Sequence, residues 1–182
     1  MKGSGISKPR RLERSVIYMS SWVDLYCDRV ELPTGKILEK YHILDFHHGS
    51  VGAVVENDKD EILMVQVFRY PTDNLEWEIP TGGMEEGEDP LQAAQREVLE
   101  ESGYETHDHK LLYSFNPING ISDDTFHVIA CNAGMKIGAF DRNEISDVKW
   151  LKKETLRSAI KNRRIRDGFT LTALLLYFND GM

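Results

Sequence analysis

Glu97, Glu100 and Glu101 are the residues whose type and spacing could do chemistry in this chain. On a helix turning about 100° per residue they fall within roughly one quadrant, with Glu97 and Glu101 stacked one turn apart. Like charges at that spacing repel by a few tenths of a kcal/mol per pair. The cluster is better explained if something cationic sits among them, and all-oxygen sets suit hard divalent ions such as Mg²⁺ or Mn²⁺. Arg96 precedes the cluster and can orient Glu100 as an i, i+4 partner. Three glutamates alone would more ordinarily be a solvated helix face; their surroundings reverse that reading.

Those surroundings are residues 82–104, GGMEEGEDPLQAAQREVLEESGY. The first half is a glycine-rich acidic loop and the second half is a predicted helix with well-formed ends. Asp89 suits the N-cap, Pro90 the first helical position, and Gln92 the return arm of a capping box. Gly103 is placed to stop the helix. Leu91, Ala94 and Val98 recur at helical spacing and form the stripe expected to be buried.

In one register, Gly82, Glu88, Arg96-Glu97, Val98, Glu100-Glu101, Gly103 and Tyr104 resemble the Nudix box. That signature is Gly, five residues, Glu, seven residues, Arg-Glu, an apolar residue, any residue, Glu-Glu, any residue, Gly and a bulky apolar residue. The resemblance implies a loop–helix–loop that binds divalent metal and cleaves a nucleoside diphosphate linked to another group. It also implies the family's α/β/α sandwich with a mixed β-sheet.

Three further features resemble the ADP-ribose pyrophosphatase and nucleoside diphosphate sugar hydrolase branch. The approach to the box reads VFRYPTDNLEWEIPTGG. By that resemblance Arg69 reaches a substrate phosphate, Glu78 lies beside the substrate, and the Thr81 carbonyl joins Glu97, Glu100 and Glu101 in holding metal. The alternative for Arg69 is a surface ion pair, worth little. A proline follows the box in a Pro117–Gly120–Ser122 loop, although the Pro-Ile-Asn-Gly order departs from the branch's usual one. Finally, an N-terminal β segment in this branch exchanges between two subunits and lends aromatic side chains to the nucleobase site. Trp22 is the candidate, with Tyr26 behind it; a core role for either is the competing reading.

The elements that must position these groups read off in order. Residues 1–14 are Gly/Ser-rich and then basic, and are expected to be a disordered arm. Residues 15–46 form an N-terminal β segment turning at Pro33-Thr34-Gly35, and residues 47–182 form the catalytic domain. Strands are expected at 52–55, 61–68, 75–80, 110–115, 126–131 and 148–151, and late helices at 154–161 and 170–178. Lys161, Arg163, Arg164 and Arg166 make a basic cluster, read first as a favourable helix end. His47, His48, His107 and His109 supply no zinc-like set of four, and His127 falls within a strand pattern.

Composition bounds the rest. The 182 residues are 41% hydrophobic and 29% charged, enough for one domain with a substantial core. No apolar run approaches the roughly 20 residues of a membrane span. Two cysteines, Cys27 and Cys131, imply no disulfide framework, so a cytoplasmic location is expected. A net charge of −8 argues against nucleic acid as a partner but not against a phosphate substrate held through metal.

The expected reaction is metal-dependent hydrolysis of the pyrophosphate bond of a nucleoside diphosphate sugar, ADP-ribose or similar, by a homodimer built through the N-terminal segment. The alternatives are an enzyme of the same fold acting on dinucleotide polyphosphates or nucleoside triphosphates, and a non-catalytic sugar-nucleotide sensor. With the box glutamates committed to metal, the general base must come from elsewhere. By the branch's spacing before the late strand it is Glu144, four residues ahead of Val148; Asp124, beside Asp123 in the Pro117 loop, is the runner-up.

Overall fold

The computed structural model describes residues 7–179. The chain forms two compact units, one of residues up to 47 together with 116–124, the other of 48–115 and 125 onward. The smaller unit is an antiparallel sheet of β1 (Arg10–Tyr18), β2 (Asp24–Glu31) and β3 (Ile37–Asp45) in that order. Side chains alternate along a strand, so Asp24, Tyr26 and Asp28 share one face of β2, where both aspartates are buried. Arg14 meets Asp28 through two 2.8 Å hydrogen bonds and lies 4.4 Å from the centre of the Tyr26 ring, whose hydroxyl donates to Asp24. The 116–124 loop joins this sheet where the Leu44 N–H donates to the Ile121 carbonyl and the Tyr41 hydroxyl to the Gly120 carbonyl.

The arm expected over residues 1–14 is shorter than its composition suggests. Arg10 to Arg14 already belong to β1, where Arg10 pairs with Glu31 and Arg14 with Asp28 across the ladder. Residues 1–6 of that expectation lie outside the described residues.

The larger unit carries a mixed seven-stranded sheet. Its elements are β4 (Ser50–Glu56), β5 (Glu61–Arg69), a single 3₁₀ turn (Tyr70–Thr72), β6 (Asn74–Glu78), β7 (Thr81–Gly83), α1 (Pro90–Ser102), β8 (Tyr104–Phe115), β9 (Phe126–Lys136), β10 (Ile145–Lys152), α2 (Lys153–Lys161) and α3 (Gly168–Asn179). The order is β10-β5-β4-β9-β8, with β6 added on β5 and β7 on β4; β4 and β9 run parallel. Strand alternation builds the two cores. Val51, Ala53, Val55, Leu63, Ile129 and Cys131 face α1, where Ala93, Ala94 and Val98 meet them. Val54, Ile62, Met64, Phe126 and Val128 face the other way, against Leu156 of α2 and Ala173 and Leu174 of α3. Helices on both faces of a mixed sheet are the sandwich expected from the sequence. No described helix is long and apolar enough to cross a membrane.

The ends of α1 follow the sequence reading. Asp89 accepts from the Leu91 and Gln92 N–H groups, and Gln92 returns to the Asp89 N–H at 3.2 Å, so the capping box is complete. The buried stripe is rotated from its expected position. Leu91 is exposed, and Ala93 sits under the sheet with Ala94 and Val98, because the close approach of α1 to β4 admits only small side chains on the first turn.

Gly103 ends the helix with φ 77°, and its carbonyl accepts from the Ile137 and Gly138 N–H groups. A Cβ there would overlap the Gly138 carbonyl. A left-handed non-glycine residue costs about 1–3 kcal/mol before any clash is counted. Gly103→Ala is therefore expected to lower unfolding free energy by at least about 2 kcal/mol in urea titration; a loss below about 0.5 kcal/mol would show that the crossing of the two backbones is not tight.

Candidate active site

The glycine-rich loop, α1 and the turn before β10 bring the site together, all within the larger unit. Loop and helix are joined by one side chain. Arg96 donates through Nε and Nη2 to both oxygens of Glu88, at 2.8 and 2.9 Å, and through Nη2 to the Gly83 carbonyl at 2.8 Å. Its Nη1 donates to Glu97 at 2.7 Å and to Glu100 at 3.3 Å. A guanidinium has five N–H donors, and these five bonds use them all. The expected Arg96–Glu100 partnership is present as its longest contact. The fork to Glu88 is the stronger one, since bidentate charge-assisted pairs are short and geometrically specific. Glu88 also accepts from the Glu85 N–H, which closes the acidic turn.

Glu97 lies against Gly82, where any Cβ would overlap its carboxyl group. The glycine is required there for space. Glu101 is 8% exposed and accepts from the Thr81 N–H at 3.0 Å. Burial is the main cause that pushes its carboxyl up to about 8, with the Glu97 charge adding to it and the Thr81 N–H opposing it. Burial likewise raises Glu97, against the pull of Arg96. Both groups also feel the charge of Glu144, from the turn just before β10, so the structure brings Glu144 within electrostatic reach of the buried Glu101 and the half-buried Glu97.

Arg69 and Glu78 are brought together, but with each other. Glu78 is 1% exposed and receives the Arg69 guanidinium in a fork of 3.0 and 2.6 Å. Arg69 thus has a buried carboxylate as partner, while its own side chain is 46% exposed. The Thr81 hydroxyl donates to the Ile79 carbonyl, and the Ile79 N–H donates to Thr170 of α3. Trp22, 82% exposed, belongs to the turn between β1 and β2 of the smaller unit. Asp123 and Asp124 belong to that unit's loop, where the Asn116 amide donates to both of their carbonyls.

Among the described residues no three His, Cys, Asp or Glu side chains converge as a ready-made metal cage. His107 pairs with Asp108, His109 with Thr106 and His127 with Ser114. Sequence reasoning missed the Arg96–Glu88 fork, although both are fixed positions of the box. It also passed over Asp167, which caps α3 through the Thr170 N–H at 2.7 Å; the Asp-Gly-x-Thr order in 167–170 carried that cap signal.

Residues 46–171 match the Nudix domain family. The chain is 31% identical over 168 residues to the methanol dehydrogenase activator of Bacillus methanolicus, which covers 91% of this chain and 90% of that one. It is 29% identical, with the same coverage, to the ADP-ribose pyrophosphatase of Bacillus subtilis (strain 168). The crystal structure of an ADP compounds hydrolase superposes with a TM-score of 0.85 over 96% of this chain and 94% of that one, at 17% identity, and so shares the fold.

The Arg96 fork also sets an acid dependence. It holds Glu88 down at about 2, against an ordinary 4.5. A carboxyl depressed on folding stabilises the fold fully above its unfolded value and loses that contribution as pH falls toward its folded value. Glu88→Gln is therefore expected to destabilise the metal-free protein by a constant amount at pH 6–8, with the gap to wild type closing between about pH 4.5 and 2; denaturant midpoints across that range check it. A gap independent of pH would mean that Glu88 is not held by charge.

A box clamped in this way, on this sheet and with these relatives, identifies the chain: it belongs to the Nudix family and is a pyrophosphohydrolase that resembles the ADP-ribose pyrophosphatase branch.

Proposed function

We propose that the protein hydrolyses the pyrophosphate bond of nucleoside diphosphate sugars, with ADP-ribose among its substrates, and that it does so with Mg²⁺ or Mn²⁺. The observation that carries the metal is the Glu97–Glu101 pair. Two stacked carboxylates with raised proton affinity, Glu101 buried and Glu97 half-buried, are a poor arrangement for themselves and a good one for a hard cation. Nudix hydrolases generally use divalent metals. Mg²⁺ is ordinarily held by one or two carboxylates, with waters and substrate phosphates completing its shell, so a full protein cage is not needed. Glu97 and Glu101 would hold the ion, with Glu100 and the Thr81 carbonyl beside them. When bound, such an ion neutralises charge on the phosphate oxygens and acidifies a water.

The chain's own residues supply the rest. Arg96 keeps the loop and the glutamate face in register and is a positioning residue. Arg69, anchored by Glu78, adds positive charge toward a phosphate. Glu144 accepts a proton from the attacking water; the water oxygen bonds to one phosphorus while the bridging P–O bond breaks. The products are a nucleoside monophosphate and a sugar phosphate. The turn that carries Glu144 is tied to α1 where the Asp141 N–H donates to the Glu100 carbonyl.

The ADP-ribose pyrophosphatase of B. subtilis, alike over nine-tenths of both chains, supports the substrate class. The intact set of box carboxylates disfavours a sensor, which needs none of them. Trp22 stands as the candidate for stacking on the nucleobase. Val16, Ile17, Tyr18 and Met19, all exposed in β1 and the turn after it, support a homodimer formed through the N-terminal sheet.

A panel of ADP-ribose, other nucleoside diphosphate sugars, dinucleotide polyphosphates and nucleoside triphosphates, assayed with each metal, tests the proposal. Turnover of the sugars should vanish with chelator and return with Mg²⁺ or Mn²⁺; full activity in excess chelator would refute metal dependence. Glu101→Gln should lose activity with the fold intact by circular dichroism. Glu144→Gln should lower kcat about a hundredfold or more with substrate binding by calorimetry little changed; normal turnover there, with Asp124→Asn inactive, would move the base to the Pro117 loop. Sedimentation should give a dimer at micromolar concentration, and an active monomer would remove that part of the reading.

A further inference from the structure

A cavity of about 420 Å³ opens beside the Arg69–Glu78 fork, between the β5–β6 connection and the segment that joins α2 to α3. Its walls include Arg69, Asn74, Glu76, Glu78, Arg166 and Asp167. From the proposed reaction it takes only its position: Glu78 is three residues before Thr81, whose N–H holds Glu101. Three residues of chain span at most about 10 Å, so a group attached to a pyrophosphate lying over Glu101 reaches this cavity.

The lining has a definite chemistry. Two guanidinium groups face three carboxylates, and each of the five groups already has a partner. Arg69 forks onto Glu78, Asp167 accepts from the Thr170 N–H, and Arg166 Nη1 reaches the Asn74 amide oxygen at 3.4 Å and Glu76 at 3.7 Å. Such a wall has no surplus of positive charge to draw a second phosphate or a nucleotide tail. It offers donors and acceptors side by side, which suits vicinal hydroxyl groups, since each hydroxyl donates once and accepts twice. The volume falls in the range of small-molecule pockets. Arg166 is 65% exposed and comes from outside the box to the rim of this cavity.

We propose that this cavity is the subsite for the sugar beyond the pyrophosphate and that Arg166 is a specificity-determining residue that hydrogen-bonds its hydroxyl groups. The inference rests on the nucleoside diphosphate sugar reading above. It assigns to Arg166 a role that the basic cluster around it, taken as a helix end, did not suggest.

The test uses the full chain with Mg²⁺, and compares wild type, R166A and R166K. Calorimetry with ribose 5-phosphate and, separately, with AMP reads the two halves of the substrate without turnover. Loss of a hydrogen bond to a charged group weakens binding about tenfold or more. R166A should therefore bind ribose 5-phosphate about tenfold more weakly and AMP within twofold of wild type. KM for ADP-ribose should rise with kcat within about twofold, and R166K should recover part of the loss. Equal weakening of AMP and ribose 5-phosphate, or no change in either, would overturn the subsite while ADP-ribose turnover still upheld the proposed function. A wild-type protein that hydrolyses no nucleoside diphosphate sugar would overturn both.

Discussion

One guanidinium group organises the reactive face. Arg96 is the only residue described here whose five donors span the acidic loop and the glutamate helix, tying Glu88, Gly83, Glu97 and Glu100 to one plane. Without it, Glu97, Glu100 and Glu88 would face one another with no charge between them, and removing one partner from a largely buried ion pair costs about 3–5 kcal/mol. The cation that the spacing of the glutamates calls for is thus partly built into the chain. Glu101 stands outside this network, held by a backbone N–H, and it is the carboxyl that burial raises furthest. The face divides into a side neutralised by Arg96 and a side where Glu101 has a backbone N–H and the more distant charge of Arg69.

Packing makes that division permanent. α1 sits on β4 and β9 through alanines and a valine, close enough for Glu97 to lie on bare glycine backbone. On the opposite face of the sheet, Thr170 of α3 takes the N–H of Ile79, two residues before Thr81. The short segment from Glu78 to Thr81 is therefore fixed from both sides, by Arg69 and Thr170 at one end and by Glu101 at the other. Neither helix can shift without moving a group that lines the reactive face.

Much of this was legible in the residues themselves. The caps of α1 follow from a short-ranged signal, an Asx side chain on the next amides, and the strands from a period of two; the mixed sandwich and the choice of Glu144 rest on the resemblance to the Nudix box and its branch. What was not legible depends on long-range partners. The Arg69–Glu78 fork needs β5 and β6 to pair, with Val65 opposite Glu78, before the two side chains can meet. The rotation of the buried stripe from Leu91 to Ala93 depends on how closely α1 approaches β4. The first half of β1 meets its carboxylate partners 21 residues away at Arg10 and 14 away at Arg14, which composition read as a basic tail does not reveal.

The smaller unit is discontinuous, and that bears on synthesis. Its sheet is made from the first 47 residues, yet the segment that accepts from Leu44 and Tyr41 is 116–124. During translation the three strands leave the ribosome long before the piece that completes them. Synthesis at roughly 5–20 residues per second makes that gap seconds long, whereas a hairpin forms in about 1–10 μs. The nascent chain therefore carries an incomplete, partly apolar sheet until residue 124 is exposed, by which time the glutamate helix has already been made.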